Sequence, residues 1–325
     1  MLITLHHKLY DPTPELAATR DGFGSGVVQA GEQDANVVLL CCDLTDSTKS
    51  DAFKKKFPQR FFEVGVAEQN MAGIAAGLAL SGKVPFITSY AVFSPGRNWD
   101  QLRVSVCYSG ANVKIMGAHA GISVGPDGTT HQALEDIAIT RVLPGMTVLV
   151  PCDMEETRKA VLTAAIHKGP VYIRFGREKV PVITVPETPF EIGKAQLFRE
   201  GTDVAIIACG SMVYHSLIAA EQLKSKGISV AVVNAVSVKP LDEETITAIA
   251  KQCGVVVTAE EHQITGGLGG VVAECMGRNY PVPIEFVGMP NSFGESGKPS
   301  ELIAKYGMDT KAVISAVERV LRRKG

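Results

Sequence analysis

Short, uniformly apolar segments alternate with stretches of helical periodicity along this chain, and the alternation stops once and starts again. Residues 37–44, 84–88, 113–117, 147–150 and 171–174 are apolar at successive positions, as strands buried on both faces must be. Helical patterns lie between them. Residues 68–80 place Met71, Ile74, Ala75 and Leu78 at i, i+3, i+4 and i+7, an apolar stripe for one helix face. Another helix opens at Asp153-Met154-Glu155-Glu156, with Asp153 as the cap and acids in the first turn. The break comes at residues 179–191, where Pro181, Pro186 and Pro189 stand among β-branched residues and read as an extended linker. Strands are expected again at 204–209, 230–234, 255–259 and 284–287, with helices up to Lys226 and from Asp242, Leu268 and Thr310. Strands alternating with helices predict parallel sheets covered on both faces. The fold class is therefore α/β, with two consecutive three-layer parallel-sheet domains at residues 1–180 and 194–325, a linker at 181–193, and the second domain the smaller.

A length of 325 residues suits two domains rather than one core. The formal net charge of −2 asks for neither nucleic acid nor an anionic membrane as partner. No apolar run reaches the roughly 18 to 20 residues that span a bilayer, and the segment from Met1 to Lys8 lacks the pattern of a signal peptide. Seven cysteines (Cys41, Cys42, Cys107, Cys152, Cys209, Cys253 and Cys275) include no C-x-x-C pair, and most have apolar neighbours. Free buried thiols in a reducing cytoplasm are expected, and zinc-ligand spacing is missing.

Three segments carry candidate chemistry. Glu68 falls at a strand-to-helix transition in Gly65-Val66-Ala67-Glu68-Gln69-Asn70, where α/β sheets place ligands. On composition alone the plainer reading is a solvated first-turn acid complementing the helix dipole, since such acids are common at helix N-termini. A glycine-rich loop after the strand at 113–117 holds His119, Asp127 and His131, suited to sugar hydroxyls and phosphate, or else simply a structural loop with surface histidines. Tyr90 and Phe93, three residues apart, close the strand at 84–88, as a stacking pair for a flat ring or as core packing. Arg177 at another strand end and Arg20 within a helical run suit an anion, and each suits a surface ion pair as well. Phosphate-binding G-x-x-x-x-G-K-[ST], a dinucleotide G-x-G-x-x-G after the first strand and a G-x-S-x-G elbow are all missing. The glycines at Gly266, Gly267, Gly269 and Gly270 precede a helix, where close packing explains them as well as anion binding does.

Taken together, the segments resemble the transketolase family. Glu-Gln-Asn-Met-Ala-Gly-Ile-Ala at 68–75, Asp-Gly-x-Thr-His-Gln at 127–132, Asp43-Leu44-Thr45, and Gly-Met-x-x-x-Phe-Gly-Glu-Ser-Gly at 288–297 occur in the family's order over nearly the whole chain. The family's first domain, with its Gly-Asp-Gly motif, has no counterpart in this sequence. The chain is similar to the C-terminal subunit of split transketolases, with pyrimidine-binding and C-terminal domains. That resemblance implies thiamine diphosphate as cofactor, with the diphosphate and Mg²⁺ held mainly by an N-terminal partner subunit and no metal ligand on this chain. It implies transfer of a two-carbon ketol unit from a ketose phosphate to an aldose phosphate, in the pentose phosphate pathway. It also implies a homodimer of this chain within an α2β2 heterotetramer. Glu68 would hydrogen-bond N1′ of the aminopyrimidine and favour the tautomer whose N4′ takes the thiazolium proton. Glu68 and His131 would be catalytic. Tyr90, Phe93, Asp43 and Leu44 would contact the cofactor, His131 the sugar near the reacting carbons, Asp127 a substrate hydroxyl, and Arg20, Ser47, His119 and Arg177 the phosphate end by charge-assisted hydrogen bonds. Tyr90 departs from the usual Phe, and Thr129 from the usual Pro. The rival readings are the β subunit of a 2-oxo acid dehydrogenase, half of a deoxyxylulose-phosphate synthase, and a non-catalytic scaffold that kept the fold.

Overall fold

A computed structural model describes residues 3–324. A short antiparallel pair, β1 (Leu16–Ala18) and β8 (Lys179–Pro181), ties the start of the chain to the end of its first half. The larger sheet contains β2 (Val37–Cys41), β3 (Phe61–Glu63), β4 (Val84–Tyr90), β5 (Lys114–Ala118), β6 (Thr147–Leu149), β7 (Val171–Arg174) and β12 (Ser237–Lys239). Their spatial order is β12-β6-β7-β5-β4-β2-β3, parallel throughout except for β12, which runs antiparallel to β6. The smaller sheet contains β9 (Gln196–Arg199), β10 (Val204–Ala208), β11 (Val230–Asn234), β13 (Val256–Gln263) and β14 (Ile284–Met289), ordered β14-β13-β10-β11-β9. Only β9 is antiparallel there.

The helices are α1 (Thr19–Gln33), α2 (Asp51–Lys56), α3 (Glu68–Leu80), α4 (Trp99–Gln101, continuing as a π-helix over Leu102–Tyr108), α5 (Asp136–Arg141), α6 (Met154–Ile166), α7 (Met212–Lys224), α8 (Glu243–Cys253), α9 (Leu268–Asn279), α10 (Pro299–Lys305) and α11 (Thr310–Leu321). Aspartates cap three of them. Asp153, Asp242 and Asp309 accept from the backbone N–H of Glu156, Thr245 and Ala312, satisfying donors that the first turn leaves free.

Three apolar layers hold the sheets. Phe23, Val27, Phe86, Met116, Val161 and Ile173 pack α1 and α6 onto one face of the larger sheet. The α1–α6 crossing is close enough that a Cβ on Gly22 would stand 2.1 Å from the Met154 carbonyl oxygen, so only glycine fits. Ile206, Leu217, Val232, Val257 and Val317 pack α7 and α11 onto the smaller sheet. The third layer joins the two halves: Leu40, Ile87, Ile115 and Val148 are continuous with Ile207, Val233, Val256 and Leu268. Each such buried side chain contributes roughly 1.5–3 kcal/mol, so the halves share a core rather than merely touching.

Two expectations change. Residues 179–191 are not a free linker. Val182, Ile183, Thr184 and Thr188 are buried, and the Asp153 carboxylate accepts from Ile183 N, Thr184 N and Thr184 Oγ1. The prolines shape an extended strap whose backbone donors are satisfied by a buried acid instead of by water. On α3 the buried face is Met71, Ala72, Ala75 and Ala76, whereas Ile74 is 39% exposed and Leu80 66% exposed. This helix is apolar nearly all round, so periodicity does not settle which stripe turns inward, and the small residues take the side against the sheet.

Candidate active site and family

All the candidate residues lie at or beyond the carboxyl ends of the strands of the larger sheet, or at the start of α1. Glu68 is the first residue of α3, and its side chain is 1% exposed. Its carboxylate is held from two sides. Oε1 accepts from Ser89 Oγ at 3.1 Å, and Oε2 from Arg97 Nη1 at 2.7 Å. Asn98 Nδ2 donates to the Glu68 carbonyl at 3.3 Å. A buried acid thus keeps its charge compensated and its orientation fixed.

Beyond it lies a group of rings. Tyr90 and Phe93 are nearly parallel, with centroids 6.1 Å apart, and Tyr90 stacks on His119 at 4.1 Å. The His131 ring stands edge-on to both, 6.1 Å from Tyr90 and 5.4 Å from Phe93. His131 Nδ1 shares a 2.8 Å hydrogen bond with Thr130 Oγ1. His119 is buried, with Nδ1 lacking any partner. Burial pushes its pKa down to about 3, with Arg20, Arg177 and His131 adding to the effect, so the ring is neutral at pH 7. Arg177 Nη1 pairs with Asp127 Oδ1 at 3.3 Å and donates to the Val124 carbonyl. Arg20 Nη1 donates to the Ser47 carbonyl at 3.1 Å, while its Nε is buried without a partner. Arg177 Nε also lies 3.7 Å from Glu178 Oε1, so this guanidinium is flanked by two carboxylates.

Asp43 and Leu44 follow the end of β2. Asp43 is exposed, at a left-handed backbone position (φ 59°), and its N–H donates to Glu63 Oε1 at 2.6 Å. Glu63 also accepts from Thr45 Oγ1 and Gly65 N–H, tying this turn to the segment that leads into Glu68.

Sequence reasoning does not reach Glu63, Ser89, Arg97 or Glu261. Arg97 has one local signal, its spacing four residues after Phe93. Glu261 has none. It comes from β13 and accepts from Ser123 N–H and Ser211 Oγ, both at 2.8 Å, so the second half of the chain props the His119 loop. That fit requires Gly121 (φ +92°), where a Cβ would meet Glu261 Oε1 at 2.2 Å.

Residues 15–182 match the transketolase pyrimidine binding domain, and residues 193–313 the transketolase C-terminal domain. The chain is 43% identical over 305 residues to the 6-deoxy-6-sulfo-D-fructose transketolase subunit of a Clostridium species, covering 94% of this chain and 95% of that protein. It is 40% identical over 299 residues to one of the apulose-4-phosphate transketolase subunits of Phocaeicola vulgatus, covering 92% of this chain and 96% of that one. Among solved structures it resembles a split-gene transketolase in an inactive β4 tetramer, with 46% identity, a TM-score of 0.89, and coverage of 95% and 99%. The pyrimidine-binding domain implies thiamine diphosphate as cofactor. The chain belongs to the transketolase family of transferases, as the pyrimidine-binding and C-terminal section that split transketolases carry on a separate subunit.

Proposed function

We propose that this chain, with a partner subunit carrying the diphosphate-binding domain, transfers a two-carbon ketol unit from a ketose phosphate to an aldose phosphate. Residues 1–180 would serve as the pyrimidine-binding domain and residues 194–325 as the C-terminal domain. The observation that carries the reading is Glu68: a carboxylate 1% exposed, at a helix start, linked through Arg97 to the Phe93 ring, which lies nearly parallel to Tyr90. These residues suit an aminopyrimidine, which needs a carboxylate partner and an apolar ring face. Thiamine diphosphate, when bound, supplies the electron sink that such a carbon–carbon cleavage needs.

The chain's own residues divide the remaining work. Glu68 holds N1′ of the aminopyrimidine and shares its proton there, with Ser89 and Arg97 fixing its orientation. Phe93 and Tyr90 give the ring its apolar walls. Asp43 and Leu44 contact the cofactor from the turn that Glu63 anchors. His131 stands where it can pass a proton to or from a sugar hydroxyl next to the reacting carbon. Asp127, held by Arg177, accepts from another hydroxyl. Arg20, Ser47, His119 and Arg177 take the phosphate end. His119 does so as a neutral ring, contributing one hydrogen bond rather than charge.

Mg²⁺ and the diphosphate fall to the partner, since this sequence has no Gly-Asp-Gly motif. A homodimer of this chain inside an α2β2 heterotetramer is supported by the exposed apolar side of α3 and by the β4 assembly of its structural relative. All seven cysteines are free and six are buried, which suits a reducing cytoplasm. Interconversion of pentose phosphates is the proposed setting.

The test is reconstitution with the partner subunit, thiamine diphosphate and Mg²⁺. Xylulose 5-phosphate with ribose 5-phosphate should give ketol transfer, and Glu68→Ala should lower the rate at least about 100-fold. Decarboxylation of a 2-oxo acid instead, or full turnover by Glu68→Ala, would overturn the reading.

A further inference from the structure

Arg97 makes two contacts at the foot of the ring group. Its Nη1 donates to Glu68 Oε2 at 2.7 Å, and the central carbon of its guanidinium lies 4.5 Å from the Phe93 centroid. Local backbone fixes this placement. The Arg97 N–H donates to the Phe93 carbonyl at 2.8 Å, so the two side chains leave one helical turn apart on the same side. The ion pair is lopsided: Glu68 is 1% exposed and Arg97 46%. Oε1 of Glu68 faces inward, toward the buried Ser89. Arg97 thus covers the carboxylate oxygen nearest the surface, and its own path to solvent is open.

A guanidinium is flat, rich in N–H donors and cationic. An aminopyrimidine is flat and nitrogen-rich too, and as the partner of Glu68 it needs the same two neighbours, the Phe93 ring face and the Glu68 carboxylate. Both groups cannot occupy one corner. We propose that Arg97 is a place-holder for the aminopyrimidine: its guanidinium fills the corner between Phe93 and Glu68, keeps the buried acid paired, and swings toward solvent when the cofactor enters. The idea rests on the assignment of Glu68 as the pyrimidine's partner.

The energetic consequence is opposite to that of an ordinary contact residue. Whatever stabilises the arrangement with Arg97 on Glu68 subtracts from cofactor affinity. Removing the side chain leaves an unpaired buried carboxylate, which destabilises the protein until the cofactor pairs it. A charge-assisted hydrogen bond half open to solvent should be worth about a 3- to 30-fold change in affinity.

The experiment uses the complex of this chain with its diphosphate-binding partner. Thiamine diphosphate is titrated calorimetrically into wild type, Arg97→Gln and Arg97→Lys, and melting is followed with and without the cofactor. Arg97→Gln should bind about 3- to 30-fold more tightly. It should melt lower than wild type without thiamine diphosphate and level with it at saturation. Arg97→Lys, which keeps the charge but loses the planar fork, should tighten binding less. Weaker binding would show that Arg97 touches the bound cofactor, unchanged binding that it is a surface ion pair, and either overturns the proposal. If the Gln variant does not assemble, the Lys variant decides by the same comparison. Failure of the Glu68 assignment looks different. In that case the wild-type complex takes up no thiamine diphosphate, or Glu68→Gln turns over normally, and the place-holder falls with it. Normal wild-type binding and turnover without tightening in the Arg97 variants sinks the place-holder alone.

Discussion

Burial and two neighbouring cations act on His119 in one direction. Its pKa is pushed down to about 3, against an ordinary value near 6.5. Between those values the folded protein binds fewer protons at this ring than the unfolded chain does. Stability from His119 is therefore complete above about pH 6.5 and is lost as pH falls through the window toward 3. Its imidazole signals in NMR should stay unchanged from pH 8 to 5, and a midpoint near 6.5 would mean that the ring is open to solvent rather than buried. An added sugar phosphate should move the midpoint upward, because the anion offsets the field of the two guanidinium groups. Glu68, His119, Asp127 and His131 are legible in the sequence because each sits in a compact motif at a strand end. Ser89 and Arg97 are not, because folding brings them to Glu68 across 21 and 29 residues, and Glu261 reaches Ser123 across 138.

At the scale of elements, the long strands announce themselves through unbroken apolar runs, as at Val204–Ala208 and Val230–Asn234. β1, β3, β8, β9 and β12 do not, because strands of three or four residues at sheet edges carry little hydrophobic pattern. The inward stripe of α3 escapes the sequence for a related reason: alanine and glycine fill both candidate faces. Its outward face, with Ile74 and Leu80, gives a prediction. Ile74→Arg should shift the chain toward monomer in analytical ultracentrifugation while leaving the far-UV circular dichroism spectrum unchanged. Unaltered self-association would place the interface elsewhere. The α1–α6 crossing gives another. Gly22→Ala forces a Cβ against the Met154 carbonyl and should cost about 1–3 kcal/mol in urea unfolding. A neutral effect would show that the two helices separate freely.

The molecule as a whole is stitched between its halves. β12 completes the larger sheet, Lys239 Nζ reaches the Arg141 carbonyl at 2.8 Å, and the third apolar layer crosses the boundary. Asn234 Nδ2 also donates to Glu156 Oε1 at 2.7 Å. Such coupling predicts one calorimetric transition, whereas two well-separated peaks would mean independent domains. Burial, with the nearby Asp153 charge adding to it, raises the Glu156 pKa to about 7. The folded state then holds a proton at Glu156 that the unfolded chain has released, from about pH 4.5 up to 7. Its contribution is full below that window and is lost as pH rises through it. Glu156→Gln should flatten the fall in melting temperature from pH 5 to 8, and an unchanged slope would assign the fall to other groups.

The position of β12 also bears on how the protein is made. A ribosome releases β2 through β7 well before residue 237. Until the later segment arrives, the growing sheet has an open edge at β6, and Leu40, Ile87, Ile115 and Val148 have no cover from the second half. A nascent chain halted between residues 182 and 237 should therefore be sticky and a substrate for chaperones. Release of the segment that runs through α9 supplies the missing cover.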